Sequence, residues 1–196
     1  GTMSNSLRMY RIIFRSVCQV LDTLRVTRQR NLARMITGIH LGQHVHLSKI
    51  ANQLFGASQL TSKVKRLRRF VANKAVDVRA NYAPYAQKVI EAAASSERLR
   101  FLIDTTELPG TRQILMVAIA YRRRSIPLIW KVMRRTGVTD SDTQRSLLEA
   151  LAAWLPDGLD TVLIGDGEFH SIDLMAWLQE KGWHFRLRLH KDTFIR

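Results

Sequence analysis

The spacing of apolar residues changes near residue 98, and this change limits the fold more than any other feature of the sequence. Before it, apolar residues recur every three or four positions, as in residues 7–24 and 28–39, which predicts amphipathic helices. Gly38 is expected to end the second of these helices. After residue 98, apolar residues come in short runs rich in valine and isoleucine, which predicts strands. The sequence therefore predicts a mixed α+β or α/β fold with a helical first part.

Positive charge is concentrated in the first half of the chain. The whole sequence has 31 Lys and Arg against 16 Asp and Glu, a formal net charge of +15. Residues 1–98 carry 17 basic against 4 acidic residues, a net +13, whereas residues 99–196 carry 14 against 12, a net +2. A basic part beside a nearly neutral one is typical of a module that binds a polyanion, because neutralised phosphates release counterions.

Two short helices are predicted within the basic part. Residues 48–54 carry apolar residues at helical spacing, with Ser48 expected to cap the helix, and Gly56 supplies a turn. A second helix is predicted over residues 60–71, with Val71 on its apolar face. This is the outline of a helix-turn-helix, with one residue more in the turn region than the common spacing.

The second of these helices carries five basic residues off its apolar face. No acidic residue lies between residues 49 and 74, so these charges repel one another unless phosphates neutralise them. A solvated helix face is the alternative interpretation of such a run. We favour contact with double-stranded DNA through Lys63, Lys65, Arg66, Arg68 and Arg69.

The order of elements predicts three parts. Residues 1–72 are expected to form the helical DNA-binding domain, and residues 73–98 a helical connector that Pro84 interrupts. Residues 99–196 are expected to form a domain with the order β-β-β-α-β-α-β. Its predicted strands and helices cover residues 99–104, 112–121, 125–133, 142–154, 161–165, 171–181 and 183–189.

Two apolar runs in the second part each stop on an aspartate, Asp104 in "FLIDTTEL" and Asp166 in "TVLIGDGEF". Each acid alone could be a strand-end cap. The first and fourth strands are expected to be neighbours, however, which would bring both carboxylates to one edge of the sheet. Two carboxylates held close together repel unless a cation lies between them. A hard divalent ion such as Mg²⁺ or Mn²⁺ suits oxygen ligands, so the pair is predicted to bind metal.

These motifs resemble those of insertion-sequence DDE transposases, which have a ribonuclease H-like catalytic core. The resemblance rests on the two acidic motifs, on "HSIDLMAWLQEKGWHFRLRL" after Asp166, and on "KVKRLRRFVAN" in the basic part. It implies metal-dependent cleavage and transfer of DNA strands, with Asp104 bridging two ions and Asp166 holding one. It also implies binding to transposon ends and target DNA, and a homodimer in the DNA complex.

The sequence departs from this family in two ways. Glu168 stands where a small or basic residue is expected, and the family's third acid, a glutamate beyond the fifth strand, has no counterpart before Arg196. Glu149, Glu168 and Glu180 match no position of the motif. The chain is therefore expected to be truncated, and to bind DNA without cutting it.

Two other classes of protein compete for the same residues. A haloacid dehalogenase-like phosphatase also has an aspartate after an apolar strand and a later Gly-Asp-Gly, here Asp104 and Asp166, but expects a crossover helix after the first strand. A nonenzymatic helix-turn-helix regulator would leave the two acids without a role. The apolar runs are too short to span a membrane, so we expect a cytoplasmic protein. The resemblance to insertion-sequence transposases further implies a bacterial protein that is associated with the nucleoid when bound to DNA.

Overall fold

Five helices precede a five-stranded sheet in the computed structural model, which describes residues 5–94, 98–134 and 137–188. The first five helices are α1 (Asn5–Val20), α2 (Val26–Gly42), α3 (Leu47–Asn52), α4 (Leu60–Val71) and α5 (Val78–Ala94). The later elements are β1 (Leu99–Leu108), β2 (Arg112–Tyr121), β3 (Arg124–Met133), α6 (Ser141–Ala152), β4 (Thr161–Gly165), a 3-10 helix (Gly167–Phe169), α7 (Ile172–Glu180) and β5 (His184–Leu187). None of the helices in these ranges is both long and apolar enough to cross a membrane.

The chain divides into two compact units, residues 1–84 and residues 85–196. The division falls inside α5 and inside the predicted connector of residues 73–98. The predicted domain boundaries at residues 72 and 98 remain predictions.

The first unit is built on the contacts of α2 with α1 and α3, and of α3 with α4. Its centre contains Ile50, Ala51, Leu54 and Leu67, all buried. The prediction that Gly38 ends α2 is wrong, because α2 continues to Gly42. A Cβ at Gly38 would lie 2.5 Å from Cγ2 of Ile50, so this glycine allows α3 to approach α2 closely.

Three further local predictions in the helical part are wrong. Ser48 does not cap α3, which begins at Leu47 after His46 and has no side-chain cap. Val71 is 62% exposed and lies off the buried face of α4. Pro84 does not interrupt α5, because a proline in the second turn removes a single backbone hydrogen bond and tertiary packing can override that cost.

The second unit contains a mixed sheet in the order β3-β2-β1-β4-β5. β1 pairs antiparallel with β2, and β2 with β3, whereas β1 pairs parallel with β4, and β4 with β5. The predicted order of strands and helices is thus confirmed, as is the adjacency of the first and fourth strands. α6 packs against β3 and α7, and α7 packs against β5.

Some boundaries in the second unit differ from the predictions. β1 does not end at Asp104 but runs to Leu108, because residues 105–108 continue the antiparallel ladder with β2. α6 ends at Ala152, so Trp154 lies beyond the helix and is half-buried. β5 covers His184–Leu187, and the predicted end of this strand at residue 189 lies outside the described residues.

Candidate functional site

Asp104 and Asp166 lie side by side at one edge of the parallel strand pair. The register of β1 and β4 runs as far as Ile103 opposite Gly165. Asp104 is the next residue of β1, and Asp166 is the residue that directly follows β4. Adjacent strands are about 4.8 Å apart, so the backbones of the two aspartates are close neighbours. Both side chains are exposed.

The two aspartates also belong to the same face of the sheet. A Cβ at Gly165 would lie 2.8 Å from Cγ2 of Ile103, which places Gly165 on the buried Ile103 face. Asp166 follows with an extended backbone, φ −83° and ψ −167°. Because successive residues of a strand alternate, Asp104 and Asp166 lie on the opposite, more open face.

The backbone after β4 turns sharply and fixes Asp166. Its Oδ1 accepts a hydrogen bond from the backbone N–H of Glu168 at 2.9 Å, which caps the short 3-10 helix. The side chain of Phe169 is fully buried beneath this turn. Nδ1 of His170 contacts the carbonyl oxygen of Gly167 within the same turn. The turn is therefore anchored both by packing and by hydrogen bonds.

Glu168 contacts a cluster of threonines. Its Oε1 accepts from the backbone N–H of Thr139 at 2.7 Å, from the hydroxyl of Thr139, and from the hydroxyl of Thr105 at 3.3 Å. Thr139 is buried, and its carbonyl oxygen accepts from Nε2 of Gln144 at 3.0 Å. Sequence reasoning missed this cluster, because nothing in the local pattern links residues 29 or 63 positions apart.

The geometry suits a divalent metal ion with an incomplete protein shell. Asp104 and Asp166 offer two carboxylates, and among the described residues no group of three or more His, Cys, Asp or Glu could hold a metal. Mg²⁺ commonly binds through one or two carboxylates and keeps waters or phosphate oxygens for the rest of its shell. The pair therefore fits the group that the sequence predicts.

A basic groove lies in the first unit. The start of α2 forms one wall of this groove, and α4 forms the other. The groove has a volume of about 580 Å³, and no acidic side chain occurs among the described residues that line it. The lining consists of Arg25, Thr27, Arg28, Asn31, Ser62, Lys65, Arg66, Arg69, Phe70 and Asn73. Three of the five predicted DNA-binding residues, Lys65, Arg66 and Arg69, thus line the groove. Arg28 of α2 and Arg25, which directly precedes α2, line it with them. The cluster Arg25, Arg28 and Arg30 was the available signal for this second wall.

The other two predicted DNA-binding residues have different surroundings. Nζ of Lys63 donates to the carbonyl oxygen of Leu54 at 2.5 Å, which links α4 to the loop that follows α3. Arg68 is exposed and lies outside the groove. Close by, partial burial lowers the pKa of Arg34, and the charges of Arg66 and Arg30 lower this pKa further despite the opposing effect of Tyr10. Positive charge is therefore crowded in this part of the unit.

Comparison with known proteins gives one family. The family model described as "Transposase DDE domain" matches residues 95–195, just over half of the chain. A search of curated proteins found no match. Among solved structures, the chain is similar to one described as "Crystal structure of the Mos1 Strand Transfer Complex", with 8% identity, 94% of this chain and 77% of that chain covered, and a TM-score of 0.31. A likeness this distant supports no conclusion about the present chain.

Proposed function

Because the chain belongs to the DDE transposase family, we propose that Asp104 and Asp166 bind a divalent metal ion for phosphoryl transfer on DNA. The observation that supports this most is the parallel register of β1 and β4, which makes the two acids neighbours on one open face. Their mutual repulsion is relieved when a cation binds between them. No third acidic side chain joins them among the described residues, so we expect this chain to bind the ion without cutting DNA alone.

The surroundings of Asp104 and Asp166 suit metal binding. A bound Mg²⁺ or Mn²⁺ would supply Lewis-acid chemistry for attack on a phosphodiester. Asp104 is exposed in the middle of β1, where the antiparallel ladder with β2 holds its backbone. Asp166 is held by the N–H of Glu168. The backbone of Asp104 and the carboxylate of Asp166 are therefore held in place, and both side chains are exposed.

We propose that the first unit binds double-stranded DNA through the basic groove. The cations Arg25, Arg28, Lys65, Arg66 and Arg69 surround a concave surface without an acidic neighbour in its described lining. Such a surface favours phosphate groups, because each neutralised phosphate releases counterions. Under this proposal α3 and α4 form the helix-turn-helix, the DNA is a transposon end or target, and two copies assemble on paired ends.

The two competing classes differ in their agreement with the fold. A dehalogenase-like phosphatase expects a crossover helix after the first strand, but β1 leads directly into the antiparallel hairpin with β2. A nonenzymatic regulator would also bind DNA through the groove. A regulator predicts no metal binding by Asp104 and Asp166, so metal binding is the measurement that separates a regulator from a transposase.

The proposal is tested by Mn²⁺ titration calorimetry of the whole chain. Asp104→Asn and Asp166→Asn are each expected to lower Mn²⁺ affinity by more than the roughly 10–100-fold that loss of an outer-shell partner costs. Asp157→Asn is the matched control, because Asp157 is an exposed acid in the loop after α6. Equal Mn²⁺ affinity in all four proteins would contradict the metal site and favour the regulator.

A further inference from the structure

The Glu168 carboxylate joins three segments that are distant in sequence. Through Thr105 it contacts β1 immediately after Asp104, and through Thr139 it contacts the loop that leads into α6. Its own backbone belongs to the turn that carries Asp166. Thr139 is itself held from the other side by Gln144, a buried residue of α6. The carboxylate thus accepts from a donor on β1 and from a buried residue that α6 holds in place.

The same contacts separate Glu168 from the metal-binding face. Its partner Thr105 alternates with Asp104 along β1, so the two side chains lie on opposite faces of the strand. One oxygen, Oε1, is already the acceptor for three donor groups. Consistent with this, Glu168 does not form a group of metal-ligand residues with the two aspartates. A ligand role for Glu168 has no geometric support.

We infer that Glu168 is a positioning residue that holds the Asp166 turn against β1 and so keeps Asp104 and Asp166 together. This inference rests on the proposed function for its consequence in metal binding. The physical requirement is an acceptor at Oε1. Glutamine supplies such an acceptor without the charge, whereas alanine leaves the buried N–H and hydroxyl of Thr139 without it.

The convergence of the two aspartates can be measured without any metal. In a Cys18→Ser background, the double substitution Asp104→Cys and Asp166→Cys should allow a disulfide, because adjacent strands are about 4.8 Å apart and disulfides span Cα distances of about 4.4–6.8 Å. The rate of disulfide formation is compared for Glu168, Glu168→Gln and Glu168→Ala. We expect Glu168→Ala to slow it severalfold and Glu168→Gln to match the native residue.

A matched pair of threonines completes this measurement. Thr105→Val removes a hydroxyl that reaches Glu168, whereas Thr106→Val removes an exposed hydroxyl from the next residue of the same strand. Thr105→Val is expected to slow the disulfide and Thr106→Val is not. Equal rates for Glu168→Ala and native Glu168, or an equally slow Glu168→Gln, would overturn the inference.

A second measurement uses the Asp104 and Asp166 carboxylates intact. We expect Glu168→Ala to weaken Mn²⁺ binding about 10–100-fold, the cost of losing an outer-shell partner, and Glu168→Gln to bind Mn²⁺ as the native chain does. Unchanged affinity in Glu168→Ala, or a loss in Glu168→Gln as large as in Asp104→Asn, would overturn the positioning role. If Asp104→Asn itself has no effect, the proposed function fails, and the disulfide rates still decide the role of Glu168.

Discussion

Lys63 and Lys65 are two lysines of one helix with different surroundings. Lys63 is half-buried and donates to the carbonyl oxygen of Leu54, whereas Lys65 is exposed and lines the basic groove. Substitution of either by methionine keeps the aliphatic chain and removes the charge. Lys63→Met is expected to lower the free energy of unfolding by about 1–2 kcal/mol, since a charged hydrogen bond is removed. Lys65→Met is expected to change it by less than about 0.5 kcal/mol and to weaken duplex binding.

Urea unfolding and fluorescence anisotropy with a labelled duplex measure these two effects separately. The two variants serve as controls for each other, because each removes one lysine charge from α4. An equal loss of DNA affinity without a difference in stability would show that Lys63 also contacts DNA.

The residues that the sequence could indicate are those with a local signature. Asp104 and Asp166 each end an apolar run, and Lys65 belongs to a basic run, so the local sequence pattern indicates these three residues. The partners of Glu168 could not be predicted, because its hydrogen bonds reach Thr105 and Thr139 across the fold. A charge within a basic run likewise does not reveal that Lys63 turns toward a backbone carbonyl.

Among the helices, the contact of α2 with α3 depends on a glycine. A Cβ at Gly38 would lie 2.5 Å from Cγ2 and 2.7 Å from the carbonyl oxygen of Ile50. A Cβ at Gly42 would lie 3.2 Å from Cγ of Gln53 and 3.6 Å from the carbonyl oxygen of Lys49, which is an ordinary contact distance. Gly38→Ala is therefore expected to destabilise the chain by about 1–3 kcal/mol through overpacking. Gly42→Ala, whose neighbour is a flexible side chain, should be neutral or stabilising by up to about 1 kcal/mol through helix propensity.

Thermal unfolding monitored by circular dichroism checks this pair of substitutions. Both replace glycine by alanine within α2, so a difference between them isolates the contact with Ile50. A Gly38→Ala variant as stable as Gly42→Ala would mean that α3 moves away from α2 at no cost.

Two strands have the predicted bounds, whereas two backbone-breaking residues in the helices were misinterpreted. The bounds of β2 and β4 equal the predicted ranges 112–121 and 161–165, because β-branched runs bounded by turn residues give a local signal. Gly38 and Pro84 were interpreted by their backbone preferences, but tertiary packing overrides those preferences in α2 and α5. The extension of β1 beyond Asp104 depends on its pairing with β2, which a single strand's sequence does not show.

For the chain taken together, the charge difference between the halves and the change of period near residue 98 predicted a basic helical part and a separate sheet. The paired residues of β1 and β4, some 60 positions apart, follow from the strand order and not from any local pattern. The groove could be predicted only in part, because its second wall comes from Arg25 and Arg28 at the start of another helix.

If the two units carry separate functions, DNA affinity and metal affinity should respond to different substitutions of the full chain. Replacing Arg28 and Arg66 by serine removes one cation from each wall of the groove. The slope of log K for duplex binding against log salt concentration should become shallower by about 0.9 for each phosphate that the protein no longer neutralises. In the double variant the slope should therefore become shallower by about 2. Mn²⁺ affinity should stay unchanged, since Asp104 and Asp166 belong to the other unit.

The converse substitutions test the second unit in the same way. Asp104→Asn with Asp166→Asn should leave the salt dependence unchanged when a chelator is present, because neither acid neutralises a phosphate. Lys88→Ser is the control for removal of an exposed cation outside the groove and should change neither the slope nor Mn²⁺ affinity. If the slope falls as much per removed cation in Lys88→Ser as in the double variant of Arg28 and Arg66, duplex binding follows net charge and the groove has no special role.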